Sequence, residues 1–250
     1  MQVFGTMVRR ELGGFFLSMS GYAVMAGAVL QIGLSFVVLL HHFNGDSSPM
    51  PVTELFYSTQ FFWFILLLTA PIITMRLFAL EKASGTFETL ATTPAGDAEI
   101  VLAKFFGAFF FYLVMWLPLL ACVFIVREHT TGAGAAEYGD VAGTFAGIAL
   151  IGALFISVGC FTSALTSSQV TAAITCFAVE LGLFLLSYLS DGMDGSDGRL
   201  GRLCRYVSSH AHMEDFCRGV VDTRCVVYYL TGTLFFLFLT HRVIESRRWR

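Results

Sequence analysis

The chain has 250 residues, with 15 Lys and Arg against 18 Asp and Glu and a formal net charge of −3. Hydrophobic residues make up 56% of it and charged residues only 13%, whereas a soluble domain carries about 25% charged residues. With 26 Phe and a mean hydropathy of +0.73, the chain cannot be arranged behind a water-facing surface. An ordinary soluble domain is excluded, and few, scattered basic residues argue against a nucleic-acid surface.

The reading that remains is an all-α polytopic membrane protein, a single transmembrane domain over residues 1–250. Residues 4–16 come first. Phe4, Met7, Val8, Leu12 and Phe15 fall on one helical face, with Arg9 and Arg10 largely elsewhere. That pattern suits an interfacial helix on the membrane surface, the alternative being a ragged start to the first span. The first apolar run is too long for a signal core and ends in "HHFNGDSSP" without a small-x-small site. Six spans are expected, over about 21–40, 55–77, 100–126, 141–165, 170–189 and 225–240. The apolar runs lack the period-two alternation of barrel strands. The last span is the shortest at its apolar core.

Charge sets the expected orientation. Arg9 and Arg10 precede the first span, while the loop at 41–54 has no Lys or Arg. Arg76, Lys82 and Lys104 flank the second loop, and Arg242, Arg247, Arg248 and Arg250 follow the last span. Positive-inside bias then puts both termini and residues 78–99 in the cytoplasm. Residues 190–224 resist this. They must lie outside, yet they carry Arg199, Arg202, Arg205, Arg218 and Arg224. Two apolar stripes run there, Leu200–Leu203–Val207 and Met213–Phe216–Cys217–Val220, which fit short external interfacial or re-entrant helices.

The segment "FALEKASGTFETLATTP", residues 78–94, is polar between two apolar runs. Gly85 permits a turn. A short helix would follow, with Phe87, Leu90 and Ala91 on one side, and Pro94 would stop it. Gly96 and Asp97 make a plausible start for the third span. The segment reads either as a capped interhelical loop or as a docking element that pushes on two spans at once.

Other residues carry weaker signals. Glu180, in "TCFAVELGLFLL", is an intramembrane carboxylate, costly to bury bare. It faces a translocation path, pairs across an interface, or sits neutral and hydrogen-bonded in the bundle. Gln31 in the first span has the same alternatives. Gly143 and Gly147 give a small-xxx-small face for close packing. Pro71 and Pro118 interrupt the second and third spans. Trp63 and Trp116 lie too far from span ends to act as belt anchors. Cys122, Cys160 and Cys176 fall in spans. Cys204, Cys217 and Cys225 could supply one disulfide, and Cys204 and Cys217 with His210 and His212 a weakly spaced metal cluster. No Walker A, H-E-x-x-H or G-x-S-x-G motif occurs.

Several stretches taken together resemble a known family. They are "RRELGGFF" before "GY", "PIITMRLFALEKASGTFETLATTPAGDAEIVLAKF", "ALTSSQVTAAI", "HMEDFCRGVVDTRCVVYYL" and "RVIESRR". The chain resembles ABC-2 type transporter permeases, and within them the gliding-motility type of ABC permease subunit. The likeness covers nearly the whole chain, with one departure at "TTPAGD", where bulkier residues are common. It implies six helices per subunit and a cytoplasmic coupling helix at Glu81, Gly85, Thr86, Glu88, Leu90 and Pro94. It implies a pair of permease subunits, identical or not, in a plasma membrane such as a bacterial inner membrane. The partner would be a cytoplasmic ABC ATPase holding the ATP, with no cofactor in this chain, and an accessory membrane or extracytoplasmic protein is a further candidate. The function implied is ATP-driven transport, in the export direction. Two alternatives stand beside it: a non-transporting anchor or assembly factor that recruits an ATPase, and an ion-coupled secondary transporter using Glu180.

Overall fold

A computed structural model describes residues 2–43, 52–86, 96–129, 138–192 and 206–248. The described residues form helices without strands: α1 (Gln2–Phe16), α2 (Met19–Phe43), α3 (Val52–Ser58), α4 (Gln60–Thr74), α5 (Ala79–Ala83) and α6 (Asp97–Met115). There follow α7 (Leu117–His129), α8 (Tyr138–Leu165), α9 (Gln169–Gly192), α10 (Ser209–Cys217) and α11 (Thr223–Arg248). Among the described residues, six segments are long and apolar enough to cross a membrane: Met19–His41, Gln60–Ala83, Asp97–Glu128, Tyr138–Leu165, Gln169–Ser187 and Thr223–Ser246. The architecture is the polytopic all-helical one that composition requires.

The boundaries differ from the hydropathy reading for physical reasons. The second span begins at Gln60 rather than 55, because Val52–Ser58 is a separate helix. Thr59 makes the break. Its hydroxyl bonds Phe56 O at 2.7 Å and the Ser35 hydroxyl of α2 at 2.7 Å. The third span breaks at Trp116, two residues before Pro118. Proline has no N–H to donate, and its ring crowds the carbonyl four residues back. In the first turn of α7 that missing donor costs nothing. Pro71, by contrast, stays inside α4. The sixth span reaches Ser246, because polar residues continue the helix and Arg242 pairs with Glu245 at 2.8 Å.

α8 is the central helix, packed against α4, α6, α9, α10 and α11. Its Gly143 and Gly147 do mark a close approach, but to the surface helix α10. A Cβ on Gly143 would lie 2.2 Å from Phe216 O, and one on Gly147 about 3.0 Å from Met213 and Phe216. Near the other end of α8, Ser163 touches the start of α5. Twenty residues separate Gly143 from Ser163, roughly 30 Å of helix, the thickness of a bilayer core. The α10 end and the α5 end are therefore opposite faces. α11 starts beside α10 and runs away from it, so α1 and the end of α11 share the α5 face.

The α10 stripe also ends sooner than periodicity suggests. Met213, Phe216 and Cys217 are buried, but Val220 is 56% exposed. Gly219 adopts φ +72° and turns the chain out of the helix. Leu200, Leu203 and Cys204 lie outside the described residues, as do Arg199, Arg202 and Arg205. Trp63 and Trp116 are core residues, not belt anchors, stacking against Phe184, Phe62 and His210.

Candidate functional site

On the α5 face, α1 lies against α6. Phe15 stacks on Phe111 at 5.0 Å, Phe16 meets the same ring edge-on at 5.2 Å, and Phe4 meets Phe106 at 6.2 Å. The apolar stripe of α1 thus buries itself on a membrane span. Gly107 lets the two backbones close in, since a Cβ there would lie 2.7 Å from Glu11 Cβ.

This approach brings four charges together. Lys104 of α6 is 2% exposed; its Nζ lies 2.8 Å from Glu81 Oε1 of α5 and 3.2 Å from Glu11 Oε1 of α1. Arg10 Nη2 sits 3.0 Å from Glu11 Oε1 and 3.6 Å from Glu81 Oε1. Lys104 also lies over the Phe78 ring at 5.4 Å. A buried ammonium is tolerated only when its charge and its donors are met; here two carboxylates and a ring face meet them. The cluster ties three elements that are distant in sequence: the surface helix, the end of the second span and the start of the third.

The break between α4 and α5 is secured from another side. Ser163 Oγ of α8 accepts from the N–H groups of Phe78 and Ala79, each at 3.1 Å. Lys82 Nζ donates to Ala164 O, the carbonyl next to it. The Ser163 bonds satisfy helix-end donors, and the Lys82 bond a helix-end carbonyl, that would otherwise be orphaned in an apolar setting.

The coupling residues expected from the sequence divide between described and undescribed positions. Glu81, expected to reach a partner, turns inward into the cluster. Gly85 has φ +74° with open space around it, so its glycine serves conformation and not packing. Thr86 is exposed, its hydroxyl 2.8 Å from that of Ser84. Glu88, Leu90 and Pro94 lie outside the described residues, together with the expected helix carrying Phe87 and Ala91. The third span does start at Asp97, and Glu99 accepts the Gly96 N–H at 3.4 Å.

Lys104 and Glu11 are the members of this cluster that the sequence reading passed over. Lys104 entered it only as a positive charge at the edge of a loop. A lysine two turns inside an apolar span is itself a signal, but its partner on α1 is 93 residues away. Gln31 is half-buried on α2. Glu180 is fully buried; Oε1 accepts from the Cys176 thiol at 3.0 Å, and Oε2 has no partner among the described residues.

On the opposite face neutral groups join α10 to its neighbours, beside an Arg218–Glu214 ion pair at 2.7 Å along the helix itself. Thr53 of α3 donates to Cys217 O at 3.1 Å, and the Ser209 N–H of α10 donates to Ser187 Oγ of α9 at 2.9 Å. His212 Nδ1 pairs with Tyr229 OH at 3.2 Å, and His210 stacks on Trp63 at 5.7 Å. Burial holds the His212 imidazole below its ordinary 6.5, against the opposing pull of Asp215 and Asp222. The two histidines thus have packing and hydrogen-bonding roles, and among the described residues no three His, Cys, Asp or Glu are placed to hold a metal.

No curated protein matches the chain. A family model described as "ABC-2 family transporter protein" matches residues 40–218, most of the sequence and the whole of the four middle spans. With its six apolar helices and its membrane-surface helix, the chain belongs to the ABC-2 transporter family.

Proposed function

We propose that residues 1–250 form one transmembrane domain of an ATP-driven exporter of the gliding-motility type. It would work as a pair of permease subunits with a separate cytoplasmic ABC ATPase that binds and hydrolyses the ATP. The α1–α5 face is then cytoplasmic, with both termini, in a plasma membrane. Arg9, Arg10, Arg76, Lys82 and Arg242 all belong to that face, in keeping with positive-inside bias.

The observation that carries this reading is the ion cluster at the root of residues 84–95. A partner that moves Gly85, Thr86, Glu88, Leu90 and Pro94 pulls on α5. Through Glu81, Lys104 and Glu11 that pull reaches α6 and α1 together. Ser163 and Ala164 carry it to α8. Coupling of this kind needs a linked element with two arrangements biased by the partner. Glu81 acts here as a positioning residue, and Thr86 and Glu88 remain to touch the ATPase.

The test is co-purification with the candidate ATPase in lipid nanodiscs, with stimulation of ATP hydrolysis as the second readout. Thr86→Lys with Glu88→Lys should abolish association while the protein stays folded. Unchanged association and unchanged stimulation overturn the docking model. Association without ATP-dependent transport would point to an anchor. Glu180, a buried carboxyl group with one oxygen unpartnered among the described residues, favours a second reading, ion-coupled transport. Glu180→Gln leaves ATP-dependent transport intact on the first reading and abolishes proton-driven transport on the second.

A further inference from the structure

A cavity of about 200 Å³ opens beside the ion cluster, between α1, the start of α2, α4 and α5. Phe15, Val24, Ile72, Ile73, Leu77 and Phe111 make it apolar, Ser18, Ser20 and Arg76 put polar groups together on one side, and Glu11, Glu81 and Lys104 of the ion cluster also line it, the two carboxylates engaged by Lys104. Arg76 donates to Ser20 Oγ, which lies 3.1 Å from Ser18 Oγ.

Charge distinguishes Arg76 from its neighbours. Lys104 and Arg10 are each engaged by carboxylates, whereas Arg76 makes no ion pair among the described residues. It is exposed, and so are Ile72 and Leu80 near it, at 38% and 42%. Arg76 lies where the second span meets the membrane surface, beside the elbow that joins the interfacial α1 to the first span. A guanidinium with two hydroxyls at that depth suits a phosphodiester. Apolar walls next to it suit acyl chains, and basic pockets between spans recruit anionic headgroups. The volume is below that of a drug-sized pocket, room for a headgroup and the first carbons of its chains.

We propose that this cavity holds an anionic glycerophospholipid. Its phosphate pairs with Arg76 and the hydroxyls of Ser18 and Ser20, and its chains run along Val24 and Ile72. The lipid bridges the α1–α2 elbow to the end of α4, fastening the surface helix from the side that the ion cluster leaves open. The inference needs no ATPase partner, so loss of ATPase association and loss of the lipid are separate results.

Native mass spectrometry of the whole protein, released from nonionic detergent with equal phosphatidylglycerol and phosphatidylcholine of the same chains, tests it. Wild type should retain phosphatidylglycerol by roughly tenfold or more over phosphatidylcholine, because both offer the phosphodiester but the choline ammonium of the latter sets a like charge beside the Arg76 guanidinium. Arg76→Gln should erase the preference and Arg76→Lys keep part of it. Gly14→Phe adds a ring to the cavity lining while leaving Arg76 itself unaltered, and a Cβ on Gly14 meets nothing within 4 Å; it should lose retention of both lipids. Equal retention of the two lipids by wild type overturns the proposal, and so does unchanged retention in Gly14→Phe. Displacement of the lipid by millimolar inorganic phosphate would mark a free-phosphate site and overturn it as well. Wild-type thermal midpoints for Arg76→Gln and Gly14→Phe in lipid-free detergent establish that both variants fold.

Discussion

The two membrane faces of this protein solve one problem with different chemistry. On each, a surface helix must be held against the ends of spans. α1 is held by an ion cluster around Lys104, with phenylalanine stacking beside it. α10 is held by hydroxyl-to-backbone bonds, a neutral histidine–tyrosine pair and glycines that admit its backbone. Charges attract over distance, and if they separate, each carries a large solvation cost. Neutral bonds act only at contact. The charged face is therefore suited to passing on motion between elements, and the neutral face to staying fixed.

Removing the centre of the charged face should have the largest effect. Lys104→Met removes the buried cation and leaves Glu11 and Glu81 with the exposed Arg10 alone. A loss of about 3–5 kcal/mol is expected from breaking a buried pair on one side, read as a collapse of the thermal midpoint in detergent. A change under 1 kcal/mol would mean that water already screens the cluster.

Gly143→Ala and Gly107→Ala set the faces against each other directly. At Gly143 the new Cβ meets Phe216 O at 2.2 Å, a backbone atom that moves only if α10 moves. At Gly107 it meets Glu11 Cβ at 2.7 Å. Both overpack, at about 1–3 kcal/mol, and Gly143→Ala should be the worse. The reverse order would place the tighter docking on the charged face.

Tyr229→Phe removes the partner of His212 and should cost about 1 kcal/mol by the same thermal measurement. The smallest effect is a pH dependence. The folded state holds the His212 proton more weakly than the unfolded chain, whose imidazole titrates near 6.5. Below 6.5 the unfolded state takes up the proton first, so stability falls as pH drops towards the folded value and is fully present above 6.5. His212→Gln should flatten that slope between about pH 5 and 7. A slope left unchanged would overturn the assignment to His212.

Much of the fold was legible because apolar length is a local property. Any run of some twenty apolar residues must cross or hide, and six such runs give the spans. The stripe of Phe4, Leu12 and Phe15 gave α1 for the same reason. Boundaries were less legible. The break at Trp116 follows from Pro118, a local cause, but that at Thr59 depends on Ser35 of another helix. The candidate site was half legible. Gly85 announced its turn, whereas Glu81 looked like a surface carboxylate and is an internal one.

The sequence by itself determined the membrane class, the number of spans and the sites of Gly85 and Pro118, because composition and backbone sterics act within a few residues. Only the tertiary structure decided that Lys104 sits between Glu11 and Glu81, that Gly143 and Gly147 receive α10, and that Arg76 has no carboxylate partner among the described residues. Those outcomes depend on which helix ends meet across the membrane face. Charge pairing depends on distance in space, and periodicity along one helix carries no record of it.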